Sequence, residues 1–461
     1  MRKALNAIVI LGVFFIVFHV RAVEAYFAQD EMMNIFQYWN PPWWKVVLAD
    51  LAFWSKFVRP MGALYYLPLY EMFGLNPLPY NLVRLLLLAV NTALFYLLAK
   101  RISRSWWTAT IAALPVAYHA GMAFLAYRGS FIFDILCAGF YFTAILYYLR
   151  HRRTGARFGI PQTCLFLALY VCALNSKEMA VSLPVIILTY ELLFHASRPK
   201  LIPLIAAIAI TAVFIAGRTL GQGTLTDSEA YRPVFTWARF AESNTRFLNT
   251  LFYSDRFVIE YVLALWAGIL VFAGVAQKLY RDPRWMFWLV WVVVTPLPIT
   301  FLPGRGGAML YIPAAGWAML TAMAIRSLAW RVAKLPFIAL QRRVVMAIVL
   351  AVSVVLYSYE TWMLEKQVVA ATLASGAELK RFVRDLNGLS FRPAGHSHIV
   401  FLNDPFPDGY TTEFAAYLDW KDRSLDIILQ RQVHFSPDVI ARMDYVFDFT
   451  DGHLVVRKPG L

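Results

Sequence analysis

Long apolar segments, separated by short polar and basic loops, recur along the first 360 residues of the chain. Each approaches or reaches the ~20 residues that an α-helix needs to cross the hydrocarbon core of a bilayer. Irregular backbone cannot face lipid, so the segments are predicted to be helices. About eleven spans are expected, at Leu5–Val20, Leu82–Ala99, Trp106–Tyr118, Phe131–Tyr148, Cys164–Ala173, Met179–Phe194, Leu201–Gly217, Phe257–Ala276, Met286–Leu302, Met309–Ile325 and Val344–Tyr357.

The pattern changes after residue 359, where charged residues increase and apolar residues come in short groups. Mixed three- and four-residue spacing predicts an amphipathic helix, and short β-branched or aromatic runs predict strands. The expected elements are helices at Glu365–Leu386 and Thr411–Trp420, and strands at His398–Leu402, Asp426–Leu429, Tyr445–Phe449 and Leu454–Arg457. The sequence thus predicts an all-α polytopic membrane domain over residues 1–359, followed by a small α/β domain over residues 360–461.

Composition agrees with a membrane protein. Hydrophobic residues make up 60% of the chain and charged residues 15%, whereas a soluble domain carries about 25% charged residues. The three cysteines, Cys137, Cys164 and Cys172, all lie within apolar runs. Neither a disulfide framework nor a cysteine metal site is therefore expected.

The basic residues predict the orientation. Lys and Arg number 43 against 28 Asp and Glu, and they concentrate in alternate loops. Cytoplasmic loops are rich in Lys and Arg, so the N-terminus is expected in the cytoplasm and the C-terminal domain outside it. The N-terminus also has features of a signal peptide ending near Ala22–Ala25, but an odd number of spans requires this segment to be retained. Nucleic-acid binding is disfavoured, because the basic residues are dispersed over short loops.

An acidic pair, Asp30–Glu31, follows directly on the first apolar segment. Ionisable groups near membrane depth are costly and tend to line cavities or pathways. The loops predicted on the same face carry further polar residues that could take part in chemistry: His119, Arg128, Lys177, Glu178, Arg218 and Arg305. Carboxylates and cations are therefore expected to share one membrane face.

A carboxylate pair with scattered cations suits sugar transfer from a polyprenyl phosphate. The lipid phosphate is already a good leaving group, so the reaction needs a base for the acceptor hydroxyl and a cation for the developing phosphate charge. Asp30 is the expected base, with Glu31 orienting it, holding the acceptor or substituting for it. Arg128, Lys177 and Arg305 are candidates for the phosphate clamp, and Glu178, His119 and Arg218 for supporting roles.

At these residues the chain resembles the GT-C superfamily of polyprenyl-phosphate-sugar-dependent glycosyltransferases. It is most similar to bacterial relatives of the protein O-mannosyltransferases and of the tetratricopeptide-containing O-mannosyltransferases. The resemblance covers about the first 320 residues, and each of its motifs is short. The matching segments, in order, are Phe27–Glu31, Arg59–Pro60, Phe73–Leu82, Tyr118–His119, Phe133–Leu136, Ser176–Glu178, Leu183–Pro184, Tyr190–Leu192 and Leu310–Gly316.

The resemblance implies a GT-C fold in a bacterial inner membrane and an inverting transfer of a hexose such as mannose at the periplasmic face. It places Asp30 in the position of the family's catalytic carboxylate. The expected partners are a polyprenyl-phosphate sugar, a protein or glycan acceptor and the bilayer. The chain departs from the family at Ala308, where relatives often have an Arg, and offers Arg305 instead. It also lacks tetratricopeptide repeats, so the acceptor does not carry over.

Alternatives remain at this stage. A polytopic lipid or glycan transporter or flippase would also place charges at membrane depth, although no internal repeat is visible. A non-catalytic receptor that binds through its α/β tail would have no need of Asp30. Asp30 and Glu31 are able to hold a divalent cation with waters, but the chain has no clear His/Cys cluster, and no metal is expected.

Overall fold

The computed structural model describes residues 2–51, 53, 59–153, 158–196, 200–220, 229–258, 264, 266–268, 271, 282–334, 341–431, 440–450 and 452–458. Its helices are α1 Arg2–His19, α2 Gln29–Trp39, α3 Trp43–Leu51, α4 Ala63–Phe73, α5 Pro77–Ser103, α6 Trp106–Ala117, α7 Phe124–Tyr127, α8 Ile132–Arg153, α9 Ile160–Ser176, α10 Leu183–Phe194, α11 Leu201–Leu220, α12 Trp237–Leu251, α13 Pro283–Val294, α14 Leu297–Thr300, α15 Tyr311–Val332, α16 Arg342–Asn387 and α17 Thr411–Trp420. The strands are β1 His398–Leu402, β2 Asp426–Leu429, β3 Tyr445–Thr450 and β4 His453–Lys458.

Six helical segments in the described ranges are long and apolar enough to cross a bilayer: Lys3–Glu24, Pro77–Ser103, Gly129–Arg152, Leu201–Leu220, Gly307–Val332 and Arg343–Asn387. Two shorter apolar helices, Trp106–Ala117 and Ile160–Ser176, lie between them in the chain. The predicted span Phe257–Ala276 falls largely outside the described residues. The structure therefore establishes a multi-pass helical domain, but not the predicted number of eleven crossings.

The long helices run alternately toward and away from the end of the bundle that carries Asp30. At that end, the Asn81 amide of α5 donates to the carbonyls of Val23 and Ala25, 3.1 and 2.8 Å away. At the other end, the guanidinium of Arg284, in the first turn of α13, donates to the carbonyl of Ser103 at 2.9 Å. These bonds fix the two ends of α5 to different connecting segments.

Local sequence explains several helix starts. The Asn76 side chain accepts from the Leu78 amide at 3.2 Å, and Pro77 occupies the first position of α5, where no amide hydrogen is needed. The Ser105 hydroxyl accepts from the Thr108 amide at 3.2 Å and begins α6. Both caps satisfy amides that a helix leaves unpaired in its first turn.

The residues after Asn387 form a four-stranded mixed sheet in the order β2-β1-β3-β4. Strand β1 pairs in parallel with β2 and β3, while β3 and β4 pair antiparallel. Phe401 of β1 and Phe447 of β3 are fully buried, with ring centroids 5.1 Å apart. The predicted C-terminal α/β fold is therefore present.

Helix α16 joins the two parts without a break. Its 46 residues include both the predicted span at Val344–Tyr357 and the predicted amphipathic helix at Glu365–Leu386. Near its C-terminal end, Phe382 packs edge-on against Phe401 of the sheet, 5.9 Å between centroids. One helix thus belongs to the bilayer at its beginning and to the α/β core at its end.

Candidate active site

Helix α2 presents the acidic pair at its first turn. Asp30 is exposed, whereas Glu31 is 2% exposed. Consecutive residues on a helix point in different directions, about 100° apart, so the two carboxylates enter different surroundings. One carboxylate faces the outside and the other faces protein.

Asp30 contacts the C-terminal domain. The hydroxyl of Tyr410 donates to its Oδ1 at 3.0 Å, across 380 positions of the sequence. Burial and the charge of Asp30 raise the pKa of Tyr410 above its ordinary value. Tyr410 is therefore a neutral donor, and it leaves Oδ2 of Asp30 for another partner.

The turn that carries Tyr410 is held by carboxylates. Asp408 accepts from the amides of Tyr410 and Thr411, at 3.1 and 2.7 Å. Behind it, Phe414 of α17 stacks on Phe36 of α2 with 4.7 Å between centroids. The fixed turn and the packing of α17 on α2 thus position the Tyr410 hydroxyl next to Asp30.

Glu31 lies among cations and amides. Its Oε2 accepts from the Ala28 amide at 2.6 Å, which ties the carboxylate to the start of its own helix. Burial raises the pKa of Glu31 to about 7, although Arg84, the amides of Ala28 and Gly129, and the charge of Arg128 all favour the ionised form. Glu31 therefore anchors the turn that presents Asp30.

Gly129 allows the close approach between α2 and the segment before α8. A Cβ at this position would overlap the Glu31 carboxylate. The Tyr66 hydroxyl donates to the Gly129 carbonyl at 2.9 Å and fixes the same segment from α4. No larger residue fits between these two groups.

Arg128 precedes that glycine and is half-buried. Its guanidinium lies over the Phe124 ring, 4.2 Å from the centroid. Its Nε is buried and has no hydrogen-bond partner in the described parts of the protein. A buried donor without a partner is costly, so Arg128 has an unused donor for an anionic group.

The Lys177–Glu178 pair is not a local salt bridge. Lys177 Nζ lies 2.6 Å from Asp134 Oδ2, and both side chains are 3% exposed. Glu178 instead pairs with Arg59 at 3.0 Å. Successive residues point apart, so each finds its partner on another element.

The Arg59–Glu178 pair joins two connecting segments, and Arg59 also contacts helices α8 and α2. The Arg59 guanidinium also lies 5.2 Å from the Phe133 ring centroid, and its carbonyl accepts from the Tyr38 hydroxyl of α2 at 2.6 Å. Burial alone would raise the pKa of Glu178, but the charges of Arg59 and Lys177, with a smaller effect of Arg305, hold it below its ordinary value. Glu178 is therefore an ionised partner for cations.

Arg305 approaches the same group from the loop before α15. Its guanidinium lies 4.2 Å from the Tyr231 ring centroid, and its charge acts on Glu178. Rings Tyr38 and Tyr66 stack 5.9 Å apart, and Tyr66 lies 6.4 Å from Phe133. This aromatic wall joins the Glu31–Arg128 group to the Arg59–Glu178 group.

Two of the predicted supporting residues lie elsewhere. His119 is buried, contacts Tyr253 at 4.3 Å between centroids, and lies 3.1 Å from the Leu251 carbonyl. Burial lowers the pKa of His119 to about 4, so the ring is neutral and packed. Arg218 lies over Phe214 of its own helix, 5.5 Å from the centroid.

Sequence reasoning missed Arg84 and Tyr410 and did not assign a role to Arg59. An arginine inside the apolar run Leu82–Ala99 was itself a signal, because charges in such segments are rare and usually functional. Tyr410 offered no comparable signal. Among the described residues no group of three or more His, Cys, Asp or Glu is arranged to hold a metal ion.

No protein-family model matches the chain, and a search of curated proteins finds no match. Solved structures do match. ArnT from Cupriavidus metallidurans bound to undecaprenyl phosphate gives a TM-score of 0.56 at 11% sequence identity, over 97% of each chain. The apo state of the same protein gives 0.55 at 11% identity, over 98% of this chain and 94% of that one.

The oligosaccharyltransferase of Archaeoglobus fulgidus, in complex with Zn and sulfate, gives a TM-score of 0.52 at 10% identity. That match covers 96% of this chain and 67% of the other. At such low identity the likeness concerns the fold. This chain accordingly shares the overall fold of ArnT and of this oligosaccharyltransferase.

Proposed function

We propose that the protein transfers a sugar from a polyprenyl-phosphate donor to an acceptor hydroxyl, with inversion, at the periplasmic face of a bacterial inner membrane. The donor sugar is a hexose such as mannose, and the acceptor is a protein or a glycan. One observation carries the proposal: an exposed carboxylate, Asp30, lies next to a buried carboxylate in the field of Arg128, whose Nε has no partner in the described ranges. The ArnT-like fold adds support.

In the proposed reaction, Asp30 removes the proton of the acceptor hydroxyl as its oxygen attacks the anomeric carbon. The bond from that carbon to the phosphate oxygen breaks, and its electron pair leaves with the polyprenyl phosphate. Attack opposite the leaving group inverts the anomeric centre. Asp30 then releases the proton to water, so no general acid is needed.

The two carboxylates have different tasks in this proposal. Oδ2 of Asp30 is available to the acceptor, because the Tyr410 hydroxyl engages Oδ1. Glu31 is a positioning residue, because its Oε2 is bonded to the Ala28 amide at the helix start. Of the three roles that the sequence left open for Glu31, this proposal adopts the orientation of Asp30.

The leaving phosphate gains negative charge, which cations stabilise. Arg128 is the first candidate, since its Nε has no partner in the part of the chain that the structure describes. Arg305 is the second, since it approaches Glu178 from a separate loop. Lys177 is already paired with Asp134 and would have to share its ammonium with a ligand.

The α/β domain supplies one wall of the acceptor site. Arg423 donates to the Trp39 carbonyl, and the Tyr70 hydroxyl donates to the Leu418 carbonyl at 2.6 Å. These bonds fix the domain on α4 and on the C-terminal end of α2, the helix whose first turn carries Asp30. An acceptor hydroxyl that reaches Asp30 therefore passes the turn that carries Tyr410.

The test uses purified full-length protein with a radiolabelled polyprenyl-phosphate hexose, and follows label leaving the lipid fraction with and without candidate acceptors. Asp30→Asn is expected to abolish release. Arg128→Gln is expected to lower the rate ~10²–10³-fold, the usual effect of removing one positioned donor. Glu24→Gln, an exposed carboxylate near the same face, is the matched control and keeps the parent rate.

Unchanged release in Asp30→Asn would overturn the assignment of the base. Movement of labelled lipid between leaflets without release of sugar would favour the transporter alternative. A protein that binds acceptors through its α/β domain but releases no label under any condition would favour the receptor alternative.

A further inference from the structure

A large cavity lies at the end of the bundle away from Asp30. Its volume is about 1250 Å³, and its walls come from the beginnings of α1, α6 and α16 and the end of α15. Small-molecule sites usually measure ~300–1,000 Å³. The cavity therefore has room for a ligand larger than a metabolite.

Three cations, Lys3, Arg326 and Arg343, line this cavity, and its described lining contains no carboxylate. Two tryptophans, Trp106 and Trp330, lie beside them. Tryptophan and basic side chains are typical of the headgroup region of a bilayer. The polar end of the cavity thus lies where lipid headgroups lie.

Below the cations the lining becomes apolar, with Ile10 of α1 and Leu350 and Val355 of α16. Along α16, the distance from Arg343 to Val355 is about 18 Å at 1.5 Å per residue. Half of the ~30 Å hydrocarbon core is about 15 Å. The cavity therefore extends through about one leaflet, with charge at its mouth and apolar walls at its depth.

The cavity walls are held together. Trp107 of α6 donates its indole hydrogen to the Met346 carbonyl of α16 at 2.7 Å. A second cavity of about 910 Å³ adjoins the first and shares Lys3 and Trp106 with it. Its other cations are Lys100, Arg101, Arg104 and Arg150. Seven cations of this end thus line two neighbouring grooves.

We propose that the larger cavity binds an anionic membrane phospholipid in the leaflet opposite the Asp30 site. The phosphate contacts Lys3, Arg326 and Arg343, and the acyl chains lie along α1 and α16. Basic pockets between transmembrane helices recognise anionic headgroups in this way. The orientation predicted by the basic loops places this leaflet on the cytoplasmic side.

Enrichment of Lys and Arg in cytoplasmic loops would by itself put cations at this face. The test must therefore distinguish a specific lipid site from this general positive charge. The full-length protein is reconstituted in nanodiscs with equal phosphatidylglycerol and phosphatidylcholine, then released into detergent, and retained lipids are counted by native mass spectrometry. One cation near an anionic surface contributes about 1 kcal/mol, or about 5-fold. Three cations predict a phosphatidylglycerol preference on the order of 10²-fold.

The triple variant Lys3→Gln, Arg326→Gln, Arg343→Gln is expected to lose this preference. The matched control, Arg150→Gln, Lys200→Gln, Arg331→Gln, removes the same charge from the same face outside the larger cavity and should keep it. Ala347→Trp fills the groove without changing charge, and it should also release the lipid. This third variant keeps the test valid if the first triple variant misfolds.

If the control triple variant lost the phosphatidylglycerol preference equally, the preference would come from the general charge of this face, and the proposal would be overturned. If Ala347→Trp and the cavity triple variant both retained the lipid, the proposal would also be overturned. Selective retention of added polyprenyl phosphate over phosphatidylglycerol would reject the phospholipid as occupant. None of these outcomes depends on the proposed transferase activity.

Discussion

The Asp30 site and the larger cavity at the opposite end of the bundle differ in how their charges are balanced. At the Asp30 end, carboxylates and cations are buried together, as in Asp134–Lys177 and Glu178–Arg59. At the opposite end, the charged residues that line the larger cavity are all cations, although the ion pairs Arg152–Glu191 and Arg284–Asp282 lie at that end as well. Buried charges must be paired in a fixed geometry. Exposed cations at a membrane surface can instead interact with lipid headgroups.

Backbone structure differs in the same way. The short 3₁₀ segments in the described chain all adjoin the Asp30 end: Val20–Glu24, Pro60–Gly62, Ala120–Met122, Gly129–Phe131, Glu178–Ser182, Glu229–Tyr231 and Gly307–Leu310. Irregular backbone at a membrane surface is tolerated where it is buried in protein or lines a cavity. Among the described residues, the irregular backbone that positions side chains is therefore concentrated at the Asp30 end.

Removing one partner of a buried pair should give the largest effect. Asp134→Asn leaves the Lys177 ammonium buried without its carboxylate, and the expected loss is about 3–5 kcal/mol of unfolding free energy. Arg343→Gln at the opposite end should cost less than about 0.5 kcal/mol, as exposed substitutions usually do. Thermal and denaturant unfolding in detergent measure both.

The double variant Asp134→Asn, Lys177→Met removes both charges and should recover most of the lost stability, because no unpaired ammonium remains. If Asp134→Asn were as mild as Arg343→Gln, the contrast between the two ends would not hold.

The second prediction concerns pH. Burial raises the pKa of Glu31 from 4.5 to about 7, against the opposing charges of Arg84 and Arg128. Between these values the folded protein binds more protons than the unfolded chain, so Glu31 makes stability fall as pH rises from about 4.5 to about 7. At 1.36 kcal/mol per pH unit, the difference is about 3 kcal/mol.

In Glu31→Gln, stability should no longer show this contribution to the decrease with rising pH. The melting temperature, measured from pH 4.5 to pH 8, checks this. Glu24→Gln, exposed on the same face, should follow the parent curve. A parent curve that rises over this interval relative to Glu31→Gln would contradict a buried carboxylate of raised pKa.

The smallest effect is expected at the contact between domains. Tyr410→Phe removes the donor to Asp30, and a hydrogen bond to a charged group contributes about 1.5 kcal/mol. We expect kcat to fall about 10-fold with little change in KM for the donor. Label release from the lipid fraction measures both constants.

Two other tyrosines serve as controls. The Tyr417 hydroxyl donates to the Leu425 carbonyl within the α/β domain at 3.0 Å. The Tyr70 hydroxyl donates across the domain contact without touching Asp30. If Tyr417→Phe or Tyr70→Phe lowered kcat as much as Tyr410→Phe, the effect would come from domain stability rather than from the carboxylate.

The sequence predicted the elements of this fold better than their contacts. Apolar runs and alternation identified the membrane helices and the strands at His398–Leu402 and Asp426–Leu429, because burial follows local periodicity. The segment Phe257–Ala276 remains a prediction. The continuity of α16 was missed, since its charged half after Glu365 has a different composition from its apolar half.

The site shows why contacts are harder. Asp30 and Glu31 are neighbours in sequence, yet one contacts Tyr410 and the other lies beside Arg84. Lys177 and Glu178 likewise pair with residues 43 and 119 positions away. Such pairs depend on how helices pack, and no periodicity in one sequence encodes the choice of partner.

The unbroken α16 has a mechanical consequence. At 1.5 Å per residue its 46 residues measure about 69 Å, more than twice the ~30 Å hydrocarbon core. One end carries Arg343, which lines the larger cavity. The other end packs against the sheet of the α/β domain, which also carries Tyr410. A pivot of about 1° at the Arg342 end displaces Asn387 by about 1.2 Å on this geometry. The helix would act as a lever. A small tilt in one leaflet would move its other end by a distance comparable to the range over which the Tyr410–Asp30 hydrogen bond can form.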